Sequence, residues 1–329
     1  MEQKSHKALV TLAVGDDYVR SFVATASHTW NEYCNRHGYD LVMLTEPIDK
    51  SCDFSQKSIH WQKLLIGMVP QLRDYDWLVW VDGDILINYR QAPCIVSHMK
   101  EDKIGVVDAS DDFHYADDVF NLHTRYLLLN ACMARQLTGG PEKIIATDGD
   151  LREYHRMFGF TGEAGRFINT GVLVFNPRRH ADWLAEIYAK YPRNFYDFEN
   201  TPLSYEMQVA DRAEYLDRRF NLAWAHEVAR NYPFLFNLEI LKRNPEMLFL
   251  CANAAFRNSW FLHFAGAKKN PIIKEPFKMI AQDAESMMQI LFPDDWAGRE
   301  ANMRFCPLKD IQDVRAALGD DAKAWTIMF

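Results

Sequence analysis

Within the first 81 residues, apolar runs of strand length alternate with segments of helical period, and this alternation restricts the fold more than any other feature of the chain. Ala8 to Val14 (ALVTLAV) is short, apolar and partly β-branched, the pattern of a buried strand. A helix is predicted next. Phe22, Val23, Ala26, Trp30, Tyr33 and Cys34 fall on one face, Asp16 or Asp17 can cap the start, and Gly38 stands where a left-handed residue ends a helix. Tyr39 to Leu44 reads as the second strand, Ser58 to Leu72 as a helix with Trp61, Leu64, Leu65 and Met68 facing inward, and Trp77 to Val81 as the third strand. Such a βαβαβ order implies a mainly parallel, doubly wound α/β sheet with ligands at the C-terminal ends of its strands.

Beyond these elements the pattern predicts strands at Ile104 to Asp108, Gly171 to Phe175 and Trp260 to Phe264, and helices at Arg179 to Tyr191 and Ser204 to Tyr215. Between Asp108 and Phe167 lies an irregular stretch rich in Asp, His, Tyr and Gly. An insertion of that size in a compact domain is usually functional. Near the C-terminus Phe277, Ile280, Ala284, Met287, Met288 and Leu291 form a helical stripe, which needs cover from the main domain or from a second copy, and a further helix is predicted at Lys309 to Leu318.

A chain of 329 residues with 48% hydrophobic and 25% charged residues can bury a sizeable core. No run approaches the roughly 18 apolar residues of a membrane span, and the polar N-terminus lacks the pattern of a secretory signal, so a soluble cytoplasmic protein is expected. The six cysteines form no CxxC pair, which argues for reduced thiols rather than a zinc knuckle. A net charge of -8 excludes wholesale binding to nucleic acid. Any phosphate site must be local, built from a metal and a few basic side chains.

Three motifs carry the candidate chemistry. Asp82-Gly83-Asp84 ends the apolar run WLVWV; two carboxylates one residue apart can turn toward one hard cation, with a glycine that lets backbone approach a ligand, and the same residues also suit a hairpin turn. Asn169-Thr170-Gly171 opens a buried strand, where it presents an amide and backbone groups to a hydroxylated ligand or serves as an ordinary junction. His263-Phe264-Ala265-Gly266, with Lys268 and Lys269 just beyond, supplies an imidazole for a metal and ammonium groups for a diphosphate, or else a packed histidine and solvated lysines.

Taken together and in order, these motifs resemble the GT-A glycosyltransferases of the glycogenin-like family 8 and of the galactosyl- and xylosyltransferase family 34. The shared features are a lysine-bearing helix before an acidic strand end (Lys63, then Asp82-Gly83-Asp84), an asparagine-glycine strand (Asn169-Thr170-Gly171-Val172), and an HFxG element with a lysine six residues after its histidine (His263, Lys269). The resemblance covers roughly residues 8–272. It implies a GT-A catalytic domain over 1–275, a doubly wound mixed sheet flanked by helices, with a nucleotide-binding half at about 8–108 and an acceptor-side insertion at about 109–166, followed by a helical extension at 276–329. Two departures stand out: Asn270 separates Lys269 from Pro271, and the family's Asp-Gln-Asp helix run is matched only loosely by Leu203 to Gln208.

What the resemblance implies chemically is transfer of a sugar, with retention of configuration, from a nucleotide diphosphate sugar, by preference a UDP-sugar, to a carbohydrate or other hydroxyl-bearing acceptor. Asp82, Asp84 and His263 would hold Mn2+ or Mg2+, and Lys268 and Lys269 would offset the leaving charge. Ala13, Val14, Gly15, Lys63, Asp82, Gly83, Asn169, Thr170, Gly171 and Gly266 would line the donor site. Lys63 would face the donor, and Glu206 or Gln208 would stand beside the anomeric carbon; the alternatives are a solvated lysine and exposed helix positions. Asp108, Asp111, Asp112, His114 and Tyr115 are the acceptor-side candidates, or members of a solvated acidic loop. Two rival classes share parts of the pattern: a haloacid-dehalogenase-type phosphatase, whose nucleophile motif belongs on the first strand, and an inactive nucleotide-sugar-binding protein.

Overall fold

The computed structural model describes residues 6–113, 122–138, 151–265, 271–278 and 280. The chain divides into two compact units, Met1–Ile280 and Ala281–Phe329, and every described residue belongs to the first. The predicted helix beyond Phe277 falls almost wholly, and that at Lys309 entirely, outside the described residues; Glu275–Lys278 is a short 3-10 turn.

In chain order the elements are β1 (Lys7–Leu12), α1 (Asp16–Thr25), α2 (Ser27–His37), β2 (Tyr39–Leu44), a 3-10 segment (Ile59–Met68), β3 (Trp77–Val81), β4 (Ile85–Ile87) and β5 (Ile104–Asp108). There follow α3 (Leu122–Thr138), α4 (Leu151–Met157), β6 (Ile168–Phe175), α5 (Pro177–Lys190), α6 (Asn200–Val209), β7 (Ala213–Leu216) and β8 (Leu222–Ala223). The last described elements are α7 (Trp224–Asn231), α8 (Leu238–Arg243), α9 (Glu246–Asn258), β9 (Phe261–His263) and α10 (Pro271–Lys274). The main sheet has the order β2-β1-β3-β6-β5-β7, and a second sheet the order β4-β9-β8.

The main sheet is mixed, as the resemblance implies, although the βαβαβ order alone reads as mainly parallel. β1 runs parallel to β2 and β3, and β5 parallel to β7, but β6 lies antiparallel to both β3 and β5. The C-terminal ends of β1, β3, β5 and β7 and the start of β6 therefore share one edge. Alternation along the strands divides the core in two. Leu9, Val79, Val81, Val172 and Val174 pack with α1, α2 and the second sheet, while Val10, Leu78, Trp80, Leu173 and Phe175 pack with the 3-10 segment and α5.

Several local expectations are corrected. The first helix is two helices meeting at Ala26; Gly15, not Asp16 or Asp17, occupies the N-cap position with no side-chain cap bond, and Val23 is exposed although Phe22, Trp30 and Tyr33 are buried. Gly38 does end the second helix in the left-handed conformation. Ser58 to Leu72 winds as 3-10 helix because Trp61 to Gly67 is enclosed on every side and pressed against α5: a Cβ on Gly67 would stand 2.6 Å from the Ala181 Cβ. Ser204 to Tyr215 is the end of α6 followed by β7, whose residues complete the sheet edge beside β5.

The insertion is tied to this edge by charge. Asp112 is buried just beyond β5; its Oδ2 accepts from His226 Nδ1 on α7 at 2.6 Å, and its Oδ1 accepts from Arg218 and Arg230 at 3.3 Å each. His123 on α3 places its Nδ1 3.2 Å from His226 Nε2. Burial pushes the Asp112 carboxyl up, but His226, Arg218 and Arg230 outweigh it and hold the pKa down at about 2. Burial, reinforced by His226, pushes His123 down to about 3. Both groups bind fewer protons folded than unfolded, so stability must fall with pH: His123 contributes to the loss below its ordinary 6.5, and Asp112 as pH drops from its ordinary 3.8 toward 2. We predict that His123→Phe flattens the decline in urea stability between about pH 6.5 and 4, whereas an unchanged pH profile would contradict the assignment.

Candidate active site

β3 ends at Val81, and Ile85 N–H donates to Asp82 O at 3.1 Å to close a tight turn. The chain then enters β4, which pairs with β9 rather than folding back on β3, so Asp82-Gly83-Asp84 is a passage between the two sheets and not a hairpin. In that pairing Ile85 lies opposite His263. Asp82, Asp84 and His263, separated by 179 or more positions in the case of the histidine, offer ligand atoms that all lie within 4.8 Å of one another.

Each of the three is oriented by a partner. Asp82 Oδ1 accepts from Trp80 Nε1 at 2.7 Å and pairs with Lys63 Nζ at 3.0 Å, leaving Oδ2 3.8 Å from His263 Nε2. Asp84 Oδ2 pairs with Lys274 Nζ at 3.0 Å, leaving Oδ1 3.2 Å from His263 Nε2. His263 Nδ1 donates to Asn221 Oδ1 at 2.8 Å, which orients the ring so that Nε2 faces both carboxylates. Burial pushes the Asp84 carboxyl up, yet His263 and Lys274 together hold it well below the usual carboxylate range.

His263 is only 4% exposed, so it does not stand at the mouth of the sheet, and its removal would cost apo stability as well as a ligand atom. Its ring lies against Gly171, where a Cβ would come 2.5 Å from Cε1 and 2.7 Å from Nδ1. Gly171 is thus the residue that makes room for the imidazole. Gly83 has no such duty, since a Cβ there would meet only Thr11 and Phe22 at ordinary contact distances.

Asn169 and Thr170 belong to β6 itself, not to a turn before it. A register shift opposite Val106 and Val107 bulges the strand here, as bulges commonly do near functional sites. Asn169 Oδ1 then accepts from Gly171 N–H at 3.0 Å and from Asn221 Nδ2 at 3.0 Å. Thr170 N–H and Oγ1 donate to Asn200 Oδ1 at 2.9 and 2.8 Å, at the start of α6.

Lys63 neither faces an open donor site nor sits in solvent. It is 1% exposed, with Nζ 3.0 Å from Asp82 Oδ1, 2.8 Å from Glu199 Oε1 and 3.2 Å from Thr170 O. Burial alone would lower its pKa, but Asp82 and Glu199 hold the ammonium charged, above the ordinary lysine range. Glu199 is 2% exposed; burial pushes its carboxyl up, but Lys63, His60 and Thr170 together hold it below its ordinary value.

Glu206 and Gln208 are engaged elsewhere. Glu206 Oε1 accepts from Lys190 at 2.6 Å and from the Tyr191 hydroxyl. The Gln208 amide bonds the Arg166 backbone on both sides, at 2.8 and 2.9 Å, and donates to Ser204 O. Ala13 is buried, with Gly15 exposed beside it at the same sheet edge as Asp82. Gly266, Lys268, Lys269, His114 and Tyr115 lie outside the described residues. Asp108 pairs with Arg166 at 2.5 Å, Asp111 is exposed, and Asp112 is the buried anion already described.

Glu199, Asn200, Asn221 and Lys274 complete the cluster and are not singled out by the sequence pattern. A Glu-Asn pair opening a helix and a lysine five residues beyond Lys269 were the available signals.

No family profile and no curated protein matches the chain. Solved structures similar to it include a glycosyltransferase involved in glycosylation of the major capsid of PBCV-1, at 13% identity over 83% of this chain and 100% of that one, with a TM-score of 0.45. The galactosyltransferase LgtC is similar at 13% identity over 91% and 97% of the two chains (TM-score 0.41), and mouse xyloside xylosyltransferase 1 at 11% over 81% and 99% (TM-score 0.38).

Replacing Lys63 would leave two carboxylates without their shared counterion, one of them fully buried. We predict that Lys63→Met lowers unfolding free energy by roughly 3–5 kcal/mol in urea titration. A loss below about 1 kcal/mol would mean that the pair is electrostatically idle. Gly171→Ala is predicted to lower stability by about 1–3 kcal/mol through displacement of the His263 ring, measured in the same way.

Proposed function

We propose that the protein is a GT-A glycosyltransferase that moves a sugar from a nucleotide diphosphate sugar to a hydroxyl-bearing acceptor with retention of configuration. The observation that supports it is the convergence of Asp82 Oδ2, Asp84 Oδ1 and His263 Nε2, each oriented by a separate partner, at a strand-end edge of a mixed α/β sheet. Two carboxylate oxygens and an imidazole nitrogen suit manganese or magnesium, and the nitrogen favours manganese. A divalent ion there would act as a Lewis acid on the diphosphate, whose charge must be neutralised for it to leave.

The chain's own residues do the positioning. Asp82 presents Oδ2 because Lys63 and Trp80 hold Oδ1, so its geometry is set before a ligand arrives, while Asp84 Oδ2 is paired with the more exposed Lys274. The segment just past β1, with Val14 half-buried and Gly15 exposed, borders the edge where a nucleoside would lie, in keeping with the rule for ligand sites in α/β sheets. Lys268 and Lys269 are proposed as further cations for the diphosphate. The acceptor would approach from the insertion beside β5. Glu206 and Gln208, proposed from the sequence as residues beside the anomeric carbon, are bonded to Lys190, Tyr191 and Arg166, which weakens that assignment.

Hydrolysis of a panel of nucleotide sugars should require Mn2+ or Mg2+ and should be lost in Asp84→Ala with the melting temperature little changed, because Asp84 is 39% exposed. Full turnover in excess chelator would overturn the metal requirement. Among donors UDP-sugars are expected to be preferred, and calorimetry in which GDP binds more tightly than UDP would refute that preference.

A further inference from the structure

The two lysines that hold the carboxylates differ in one respect that bears on cation binding. Lys63 is 1% exposed and shared among Asp82, Glu199 and Thr170, so leaving its place would strand two anions. Lys274 is 30% exposed, and among the described residues its ammonium contacts Asp84 Oδ2, at 3.0 Å, and the Phe264 carbonyl. Its backbone, by contrast, is anchored: Ile272 and Ile273 are buried, and Trp224 Nε1 donates to Ile272 O at 2.7 Å. The Phe264 N–H donates to Asp84 O at 3.0 Å, which ties the end of β9 to the acidic passage. A flexible four-carbon stem on a fixed base can swing its charge without moving the fold.

We propose that Lys274 is the resident counterion of the Asp82-Asp84-His263 site, neutralising Asp84 in the metal-free protein and yielding that carboxylate when a divalent cation binds. The proposal rests on the cation-binding reading of the site given above. Its basis is charge. A cation taking Asp84 Oδ1 shares a carboxylate whose other oxygen is 3.0 Å from an ammonium. Like charges at such range repel strongly unless one of them moves into water. The lysine therefore lowers the intrinsic cation affinity and shields a carboxylate that would otherwise stand uncompensated beside Asp82.

Manganese titration of the full-length protein, followed by the paramagnetic resonance of the free ion, tests this directly. Lys274→Met keeps the stem and removes the charge, and it should bind Mn2+ about tenfold more tightly at low salt, with the gain shrinking as ionic strength rises. Lys274→Arg keeps the charge and should stay within about twofold of wild type, since the opposition to the cation is coulombic. Unchanged or weaker binding by Lys274→Met overturns the proposal, because a lysine that merely orients Asp84 would lose affinity when removed. Absence of Mn2+ binding by the wild-type protein is a distinct outcome, which removes the cation site itself.

Discussion

The ammonium of Lys63 is the constraint on which the site depends. Moving a charged amine out of water costs several kcal/mol or more, and only close anions return it. Here Asp82 and Glu199 stand 3.0 and 2.8 Å away, and Thr170 O adds a third acceptor at 3.2 Å. These four residues come from the 3-10 segment, the end of β3, the approach to α6 and the bulge in β6. None of those elements can shift far without leaving a buried charge unpaired. The same bond decides which oxygen of Asp82 stays available, because Oδ1 is already held by Lys63 and Trp80.

His263 is delivered by a different route. β4 leaves the acidic passage to pair with β9, so the register Ile85↔His263 fixes the imidazole opposite the residue that follows Asp84. Asn221, in the short segment between β7 and β8, then sets the ring's orientation and also grips Asn169. Two sheets thus meet through side-chain amides at the point where the three ligand atoms converge. Gly171 completes that meeting by having no Cβ to collide with the ring.

Much of the frame was legible in the sequence where burial and period agree. Trp77–Val81 and Ile104–Asp108 are strands at the limits the apolar runs suggest, because a strand buried on both faces shows an uninterrupted run; Tyr39–Leu44 keeps its limits as well, although only Tyr39 in it is buried. The 3-10 segment was misread since Trp61, Leu64 and Leu65 also satisfy an α-helical stripe; what decides it is the close approach of α5 at Gly67, a tertiary fact. The short strands β4, β7 and β8 carry too few residues for any period to show. Asp82, Asp84 and His263 were identifiable by type and order. Their braces were not, for Glu199, Asn221 and Lys274 become partners only through contacts spanning 42 to 190 positions.

Exposure increases across the three ligand residues in a definite direction. His263 is almost wholly buried, Asp82 is partly covered by its bond to Lys63, and Asp84 is the most open of the three. A cation entering from solvent would meet Asp84 first and His263 last, so the deepest candidate ligand is also the one most rigidly oriented. Rigid donors discriminate by geometry, while an accessible carboxylate on a short turn can adjust to the ion's size. The site thus joins a fixed inner pair, Asp82 and His263, whose partners are buried, to an outer carboxylate whose counterion faces water. Selectivity would then be set by the inner pair and occupancy by the outer one, a division that follows from where each brace sits relative to solvent.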